Sequence, residues 1–148
     1  DWIIYKNGKI IYGGSKYLKE LGKSKYLKIF AELNRIRKVV LLPQDDVDEQ
    51  ALLLDDQVKH RNFDDSHLVA IACISRCKLI CTKESRAIEF IKKKSFYPSG
   101  VSPPKIYRKR SNCKLLCNKY FADICKPSFT PNKQSANSIV QSINGIIS

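Results

Sequence analysis

Three carboxylates lie at the two ends of one apolar unit, in the stretch NFDDSHLVAIACISRCKLICTKE at residues 62–84. Asp64 and Asp65 come directly before a helix-length apolar run, and Glu84 follows a short strand-like segment. Clustered carboxylates repel one another unless cations lie among them, and hard divalent cations such as Mg²⁺ or Mn²⁺ prefer oxygen ligands. These residue types at the ends of one unit therefore indicate a divalent metal site.

Each of these acids also has a simpler explanation when it is taken singly. Asp64 or Asp65 could cap the helix that follows, and Glu84 could favour the first turn of its own helix. Glu20, in KYLKEL, is a further candidate carboxylate. The metal-site interpretation depends on whether these acids converge in the fold.

The charge balance of the chain favours a polyanionic partner. Lys and Arg number 27 against 14 Asp and Glu, which gives a net charge of +13. Eight of the acids lie at residues 45–65, whereas residues 92–133 hold eleven Lys or Arg and one acid. Cations concentrated on one segment favour nucleic acid through counterion release, and a solvated basic surface is the alternative. The residues predicted to contact nucleic acid are Lys92, Lys93, Lys94, Lys105, Arg108, Lys109 and Arg110.

The cysteines and the hydropathy pattern indicate a reducing, non-membrane setting. The six cysteines form no CxxC pair, and three of them fall in apolar segments, so we interpret them as structural thiols rather than zinc ligands. No run approaches the roughly 18 apolar residues of a membrane span. The expected location is the cytoplasm.

Apolar periodicity predicts alternating strands and helices, hence an α/β fold with a parallel sheet. Asn7-Gly8 between two apolar runs predicts a hairpin or tight turn. The predicted strands are buried segments at 38–42 and 78–82, with another at 105–107. The predicted helices cover residues 15–22, 24–37, 66–76, 85–94 and 111–125, with one more that begins at a capping box at 46–49.

The C-terminal region has a different texture. Residues 126–148 are rich in Ser, Asn and Gln, which predicts a weakly packed tail. We therefore divide the chain into an α/β domain at 1–110 and a basic C-terminal extension at 111–148. In parallel sheets, active sites form outside the carboxyl ends of the strands, which is where the three carboxylates are expected.

Several of these segments resemble the PIN-domain nucleases. DSHLVAIA followed by KLICTKE resembles that family's aspartate-bearing helix and its hydrophobic strand ending in Thr-x-Asp. IYGGSKYLKEL is similar to the strand-to-helix element that carries the family's glutamate, and PPKIYRKR to a late strand of some members. The resemblance covers roughly residues 10–110.

The resemblance implies roles for particular residues. Glu20, Asp65 and Glu84 would be catalytic and would hold the metal, with Asp64 as an assisting metal ligand. Thr82 would orient a water or a neighbouring carboxylate, and His67 could approach the substrate. Glu84 stands where the family usually has Asp. The family's first aspartate belongs to an N-terminal strand with no counterpart here. Either a short apolar strand ending in Asp lies upstream of Asp1, or this protein has lost that part of the catalytic set.

The resemblance also implies a Rossmann-like parallel sheet flanked by helices and a function. That function is Mg²⁺- or Mn²⁺-dependent endoribonuclease activity on RNA, with DNA not excluded, in the manner of a toxin silenced by a partner antitoxin. One alternative is a catalytically inactive PIN-like module that binds nucleic acid. Another is an interaction domain whose basic tail binds an acidic partner. A homodimer is compatible with the sequence.

Overall fold

A computed structural model describes residues 1–59 and 63–148 as a mixed α/β protein. The helices are α1 (Trp2–Tyr5), α2 (Ser15–Gly22), α3 (Leu27–Arg35), α4 (Gln44–Val58), α5 (Ser66–Ser75), α6 (Ser85–Ile91) and α7 (Lys133–Ile147). The strands are β1 (Ile10–Tyr12), β2 (Val39–Leu41), β3 (Leu79–Cys81) and β4 (Lys105–Tyr107). Short 3₁₀ turns occupy Lys94–Phe96, Arg110–Leu115, Asn118–Tyr120 and Asp123–Cys125.

The four described strands form two separate sheets of two parallel strands each. β1 pairs with β2, with Ile11 opposite Val40, and β3 pairs with β4, with Ile80 opposite Ile106. The predicted α/β class with parallel pairing is therefore confirmed. In the described part of the chain, however, β1 and β3 share no hydrogen-bonded ladder, so the strands do not make one continuous sheet.

The hydrophobic core is centred on α5. Its sequence SHLVAIACIS is apolar nearly all round, as expected of a helix covered on most sides. Val69 and Ala70 are 0% exposed, and α4 packs against this helix with Leu54 at 1% exposure. Three phenylalanine rings also belong to this core. The centroid of the Phe63 ring lies 4.6 Å from that of Phe90 and 5.6 Å from that of Phe96.

The strands are less buried than their sequences predict. KVVLL and KLICT are the apolar runs expected of strands covered on both faces. Yet no residue of the four described strands is buried, and Leu41 and Cys81 are exposed. The strands are therefore less buried than predicted. Among the described residues, β1 and β3 each have one neighbouring strand, so one edge of each strand is not covered by another strand.

The predicted hairpin at Asn7-Gly8 is wrong. Residues before it form the helical turn α1, and β1 instead takes β2 as a parallel partner. Gly8 lies against the indole of Trp2, where a β-carbon would approach the ring to 2.8 Å. The glycine therefore serves a close approach of chain segments rather than a two-residue hairpin.

Helix boundaries differ from the prediction where proline and local packing decide them. α4 begins at Gln44, directly after Pro43, so the capping box predicted at 46–49 is wrong. Val47 and Leu54 of this helix are buried. α3 is shorter at both ends than the predicted 24–37, and α6 ends at Ile91 rather than at residue 94.

The C-terminal region is more ordered than its composition predicts. The helix predicted at 111–125 is wrong, because that segment consists of the 3₁₀ turns given above. The weakly packed tail is also wrong, since α7 packs against α1 and α3 with Ala136 and Ile139 fully buried. Asn132 caps α7 by accepting a 2.8 Å hydrogen bond from the Ser135 amide.

Within residues 1–59 and 63–148, no helix is long and apolar enough to cross a lipid bilayer.

Candidate active site at the carboxyl edge of the strands

The chain turns sharply from β1 into α2 at the carboxyl end of the strand. Gly14 makes this turn with φ of 84°, in the region that favours glycine. A β-carbon there would lie 2.6 Å from Val47 Cγ1. The Ser15 amide then donates a 2.8 Å hydrogen bond to Asp48 Oδ1, which holds the start of α2 against α4. This turn fixes the start of α2, the helix that carries Glu20.

The structure brings the acids of the opening stretch together. Asp64, Asp65 and Glu84 line one cavity of about 270 Å³, together with Thr82. Leu68 and Arg86 complete its described wall. Residues from the start of α5 and from the segment after β3 therefore meet at one edge of the fold, as the parallel-sheet argument predicts.

Helix capping does not account for these carboxylates. Asp65 is the N-cap residue of α5 and Glu84 is the N-cap residue of α6. Neither side chain accepts a capping hydrogen bond from its own helix. Both carboxylates are therefore available to the cavity, and the simple capping explanation is not supported.

Two cations that the sequence interpretation missed lie beside the acids. Arg86 Nε lies 3.3 Å from Glu84 Oε1, and both side chains are more than half exposed. Lys16 donates a hydrogen bond from Nζ to the backbone carbonyl of Asp64. Arg86 follows Glu84 by two residues in the sequence, but the contact of Lys16 spans 48 positions and is visible in the tertiary structure alone.

Glu20 lies next to His67 on the first turn of α5. His67 Nε2 lies 3.9 Å from Glu20 Oε2, while the histidine side chain is 6% exposed and that of Glu20 is 61% exposed. Burial lowers the pKa of His67, and Lys16 lowers it further, although Glu20 and Asp65 act in the opposite direction. His67 is therefore the neutral imidazole at pH 7. Glu20 does not line the cavity of the other three acids.

Thr82 has a structural partner. Its hydroxyl accepts a 3.1 Å hydrogen bond from the Glu84 amide, which shapes the turn from β3 into α6. This bond goes to the backbone of Glu84 and not to its carboxylate, so the role of Thr82 in orienting a water or a neighbouring carboxylate stays a prediction.

The donor set fits a hydrated ion better than an ion enclosed by protein ligands. In the part of the chain that the structure describes, no three His, Cys, Asp or Glu side chains are grouped so that they could hold one metal. Mg²⁺ usually keeps several waters and takes one or two carboxylates from the protein. Asp65 and Glu84 in one cavity match that requirement.

The predicted basic residues divide between the two ends of the strands. At the carboxyl end of β4, Arg108 Nη2 donates a 2.6 Å hydrogen bond to Ser85 Oγ, one residue from Glu84. The Asn112 side chain then accepts 3.0 Å bonds from the amides of Arg108 and Lys109. Arg108 therefore contacts the residue next to Glu84, and Lys109 and Arg110 follow it in the chain. We call these three residues the basic triplet.

The remaining predicted basic residues lie at the other end of these elements. Lys105 is the first residue of β4, and Lys92–Lys94 follow the C-terminus of α6. Lys93 Nζ lies 4.9 Å from the centroid of the Phe96 ring, so one of these cations has a packing role. All four lysines are exposed.

Comparisons with known proteins found no matching family model, no matching curated protein and no matching solved structure.

Proposed function

We propose that the protein is a metal-dependent endoribonuclease of the PIN-like type, with the carboxylate cavity as its active site. The observation that supports this most strongly is the meeting of Asp64, Asp65 and Glu84 in one cavity of a chain with net charge +13. Capping does not explain the two acids at the helix starts. A basic surface around an acidic pocket suits a phosphodiester substrate that is cleaved with metal assistance.

Asp65 and Glu84 are the proposed ligands of Mg²⁺ or Mn²⁺, with Asp64 assisting. A bound ion of this kind activates water and stabilises charge on the scissile phosphate. Arg86 lines the same cavity, and its guanidinium can donate charge-assisted hydrogen bonds to a phosphate oxygen. Glu20 is included in the proposed site because it lies 3.9 Å from His67, a residue whose pKa both Glu20 and Asp65 raise.

The basic triplet is the proposed RNA contact nearest to the chemistry. Its first member is fixed to the start of α6 through Ser85, so phosphates held there lie close to Glu84. Lys92–Lys94 and Lys105 would extend the contact along the strand. A protein inhibitor that covers this basic surface is the partner implied by the resemblance to toxin nucleases.

The decisive experiment is cleavage of single-stranded RNA in Mn²⁺ by Asp65→Asn. The variant keeps the side-chain volume and removes the charge of a proposed ligand, so we expect a loss of activity of about 100-fold or more. Asp56→Asn is the matched control, because Asp56 is exposed on α4 and does not line the cavity. Equal cleavage by Asp65→Asn and the control would refute the assignment.

A second candidate function is nucleic-acid binding without catalysis. It is favoured by the lack, among the described residues, of three side chains grouped as metal ligands. In that case RNA binding should be strong and cleavage should be absent from the wild type as well. The basic triplet then becomes the functional element.

Replacing Arg108, Lys109 and Arg110 with Ala tests the RNA interface under both candidates. Loss of three phosphate contacts should weaken binding to all sequences and flatten the slope of log affinity against log salt by about two units. Replacing Lys23, Lys28 and Lys133 removes the same charge from other elements and should leave a steeper slope than the triplet variant. Equal slopes for the two variants would mean that net charge, and not this surface, binds RNA.

A further inference from the structure

The outer face of α4 combines apolar and acidic side chains. Leu52 and Leu53 are 66% and 53% exposed, although leucine is among the residues most often found in protein interiors. Glu49 and Asp56 are also exposed, and each lies three or four residues from both leucines. Residues at this spacing are neighbours on a helix surface, so the four side chains form one surface. We call these four residues the acidic patch.

The charges of the acidic patch have no cationic partner in the described part of the chain. None of the described ion pairs includes an acid of α4, although the sequence holds 27 Lys and Arg. Asp56 lies in the last turn of α4, and this turn has no basic residue. The C-terminal end of a helix dipole favours cations, so an acid there is unfavourably placed. A cation from another molecule would offset this disadvantage.

The opposite combination occurs at the start of α3. Tyr26 and Leu27 are 50% and 48% exposed. Lys23, Lys25 and Lys28 are exposed and flank this apolar pair in the sequence. We call these five residues the basic patch.

The basic patch also carries charge of the sign that its helix end disfavours. Lys28 lies in the first turn of α3, which holds no acid, whereas the N-terminal end of a helix dipole favours anions. Neither Lys23 nor Lys28 belongs to a described ion pair. Lys25 Nζ lies 5.7 Å from the centroid of the Tyr26 ring, so this cation lies beside the apolar pair. An anion from another molecule would stabilise this helix end.

The two patches are complementary in charge, in exposed apolar surface and in the polarity of the helix ends. We propose that the acidic patch of one copy of this protein binds the basic patch of a second copy. Leu52 and Leu53 of one copy then pack against Tyr26 and Leu27 of the other, with the carboxylates among the lysines. Because the two surfaces differ, every dimer keeps one free patch of each kind, and association continues head to tail. This proposal does not depend on the nuclease activity.

The contact is expected to be weak. The acidic patch covers about 10 Å of helix from Glu49 to Asp56. Stable interfaces bury about 800 Å² on each partner, and smaller ones are transient. The net charge of +13 on each copy adds repulsion, but at about 0.15 M salt interactions of exposed charges beyond about 8 Å are largely screened. We expect a Kd on the order of 0.1 mM, as for a small transient contact.

The first measurement is sedimentation of the full chain, free of nucleic acid, from about one tenth to about ten times that Kd. The mean mass of the wild type should rise with concentration. Leu52→Ala with Leu53→Ala damages the acidic patch, and Tyr26→Ala with Leu27→Ala damages the basic patch. Each double variant should associate about 30-fold more weakly, because each truncated anchor costs about fivefold or more. Circular dichroism checks that both variants are folded.

An equal mixture of the two alanine variants is the decisive measurement. The first variant keeps an intact basic patch and the second keeps an intact acidic patch, so the mixture should form dimers. Larger species should be absent from the mixture, because both patches that remain free on the dimer are damaged.

A charge variant separates local complementarity from net charge. Lys23→Glu with Lys28→Glu lowers the net charge by four and should weaken association, since it places acids opposite the acidic patch. Lys92→Glu with Lys94→Glu makes the same change at the end of α6 and is the matched control. The control should associate as strongly as the wild type or more strongly, because repulsion between copies falls. All four lysines are exposed, so these variants decide the question if an alanine variant does not fold.

Several results would overturn the proposal. A wild type that stays monomeric at about ten times the expected Kd would show that copies do not bind each other. Association that persists in either alanine variant, or a mixture of the two that stays monomeric, would show that the acidic patch does not bind the basic patch. Equal weakening by the two lysine variants would remove the role of local charge. Binding of a basic helical peptide by a monomeric wild type, lost in Leu52→Ala with Leu53→Ala, would assign the acidic patch to another protein.

Discussion

The helical side of the molecule and the strand side differ sharply in packing. Around α5, Val69, Ala70 and Leu54 are at most 1% exposed, and three phenylalanine rings close the core. Around β1 and β3, residues of equal hydrophobicity are only partly buried and border a cavity of about 410 Å³. Two regions with similar composition therefore reach different degrees of burial.

The difference shows which contacts organise the carboxyl edge. The acids Asp65 and Glu84 are carried by the N-termini of α5 and α6, and α5 belongs to the well-packed side. Their convergence thus does not require the strands to form one sheet. Glu20 is carried by α2, which follows the partly exposed strand β1. Its described contact with the site is the one with His67.

The largest expected effect is in the packed core. Leu54→Ala should lower the free energy of unfolding by about 2–5 kcal/mol, because it removes fully buried methyl groups and leaves a hole. Leu53→Ala, on the exposed side of the same helix at 53% exposure, is the matched control and should change it by about 0.5 kcal/mol or less. Chemical denaturation measures both. Equal losses would mean that α4 is not anchored on α5 as described.

A smaller effect is expected for the same deletion at the cavity. Leu79→Ala should lower the free energy of unfolding by about 1 kcal/mol, since Leu79 is partly exposed and already borders empty space. A cost as large as that of Leu54→Ala would contradict the contrast between the two sides.

The smallest expected effect is a change in pH dependence. The pKa of His67 is lowered below its ordinary value, first by burial and then by Lys16. Between the unfolded pKa of about 6.5 and the lower native value, the unfolded chain binds more protons. The contribution of neutral His67 to the free energy of unfolding is therefore fully present above about pH 6.5 and is lost as the pH falls towards the native pKa.

His67→Gln should remove this part of the pH dependence. We expect its free energy of unfolding to fall less than that of the wild type when the pH is lowered from about 7 to about 5. Denaturant titrations across that range give the comparison. The same decline in both proteins would show that His67 does not change its protonation between the folded and unfolded states.

Much of the local structure could be read from the sequence. The apolar strands at 38–42 and 78–82 and the helix from Ser66 were predicted from apolar runs and periodicity, and they are present with small changes in their ends. The C-terminal region was not, because α7 is stabilised by burying Ala136 and Ile139 against α1 and α3, a long-range contact that composition does not encode.

The sequence by itself determined the α/β class, the parallel pairing and the carboxylates at the starts of α5 and α6, because hydrophobic periodicity and residue type are local properties. Tertiary structure decided that Arg86 and Lys16 lie among those acids, that Glu20 meets His67, and that β1 and β3 face each other across a cavity. These features join residues far apart in the chain, and their distances depend on how the helices pack around α5. No local pattern specifies such distances.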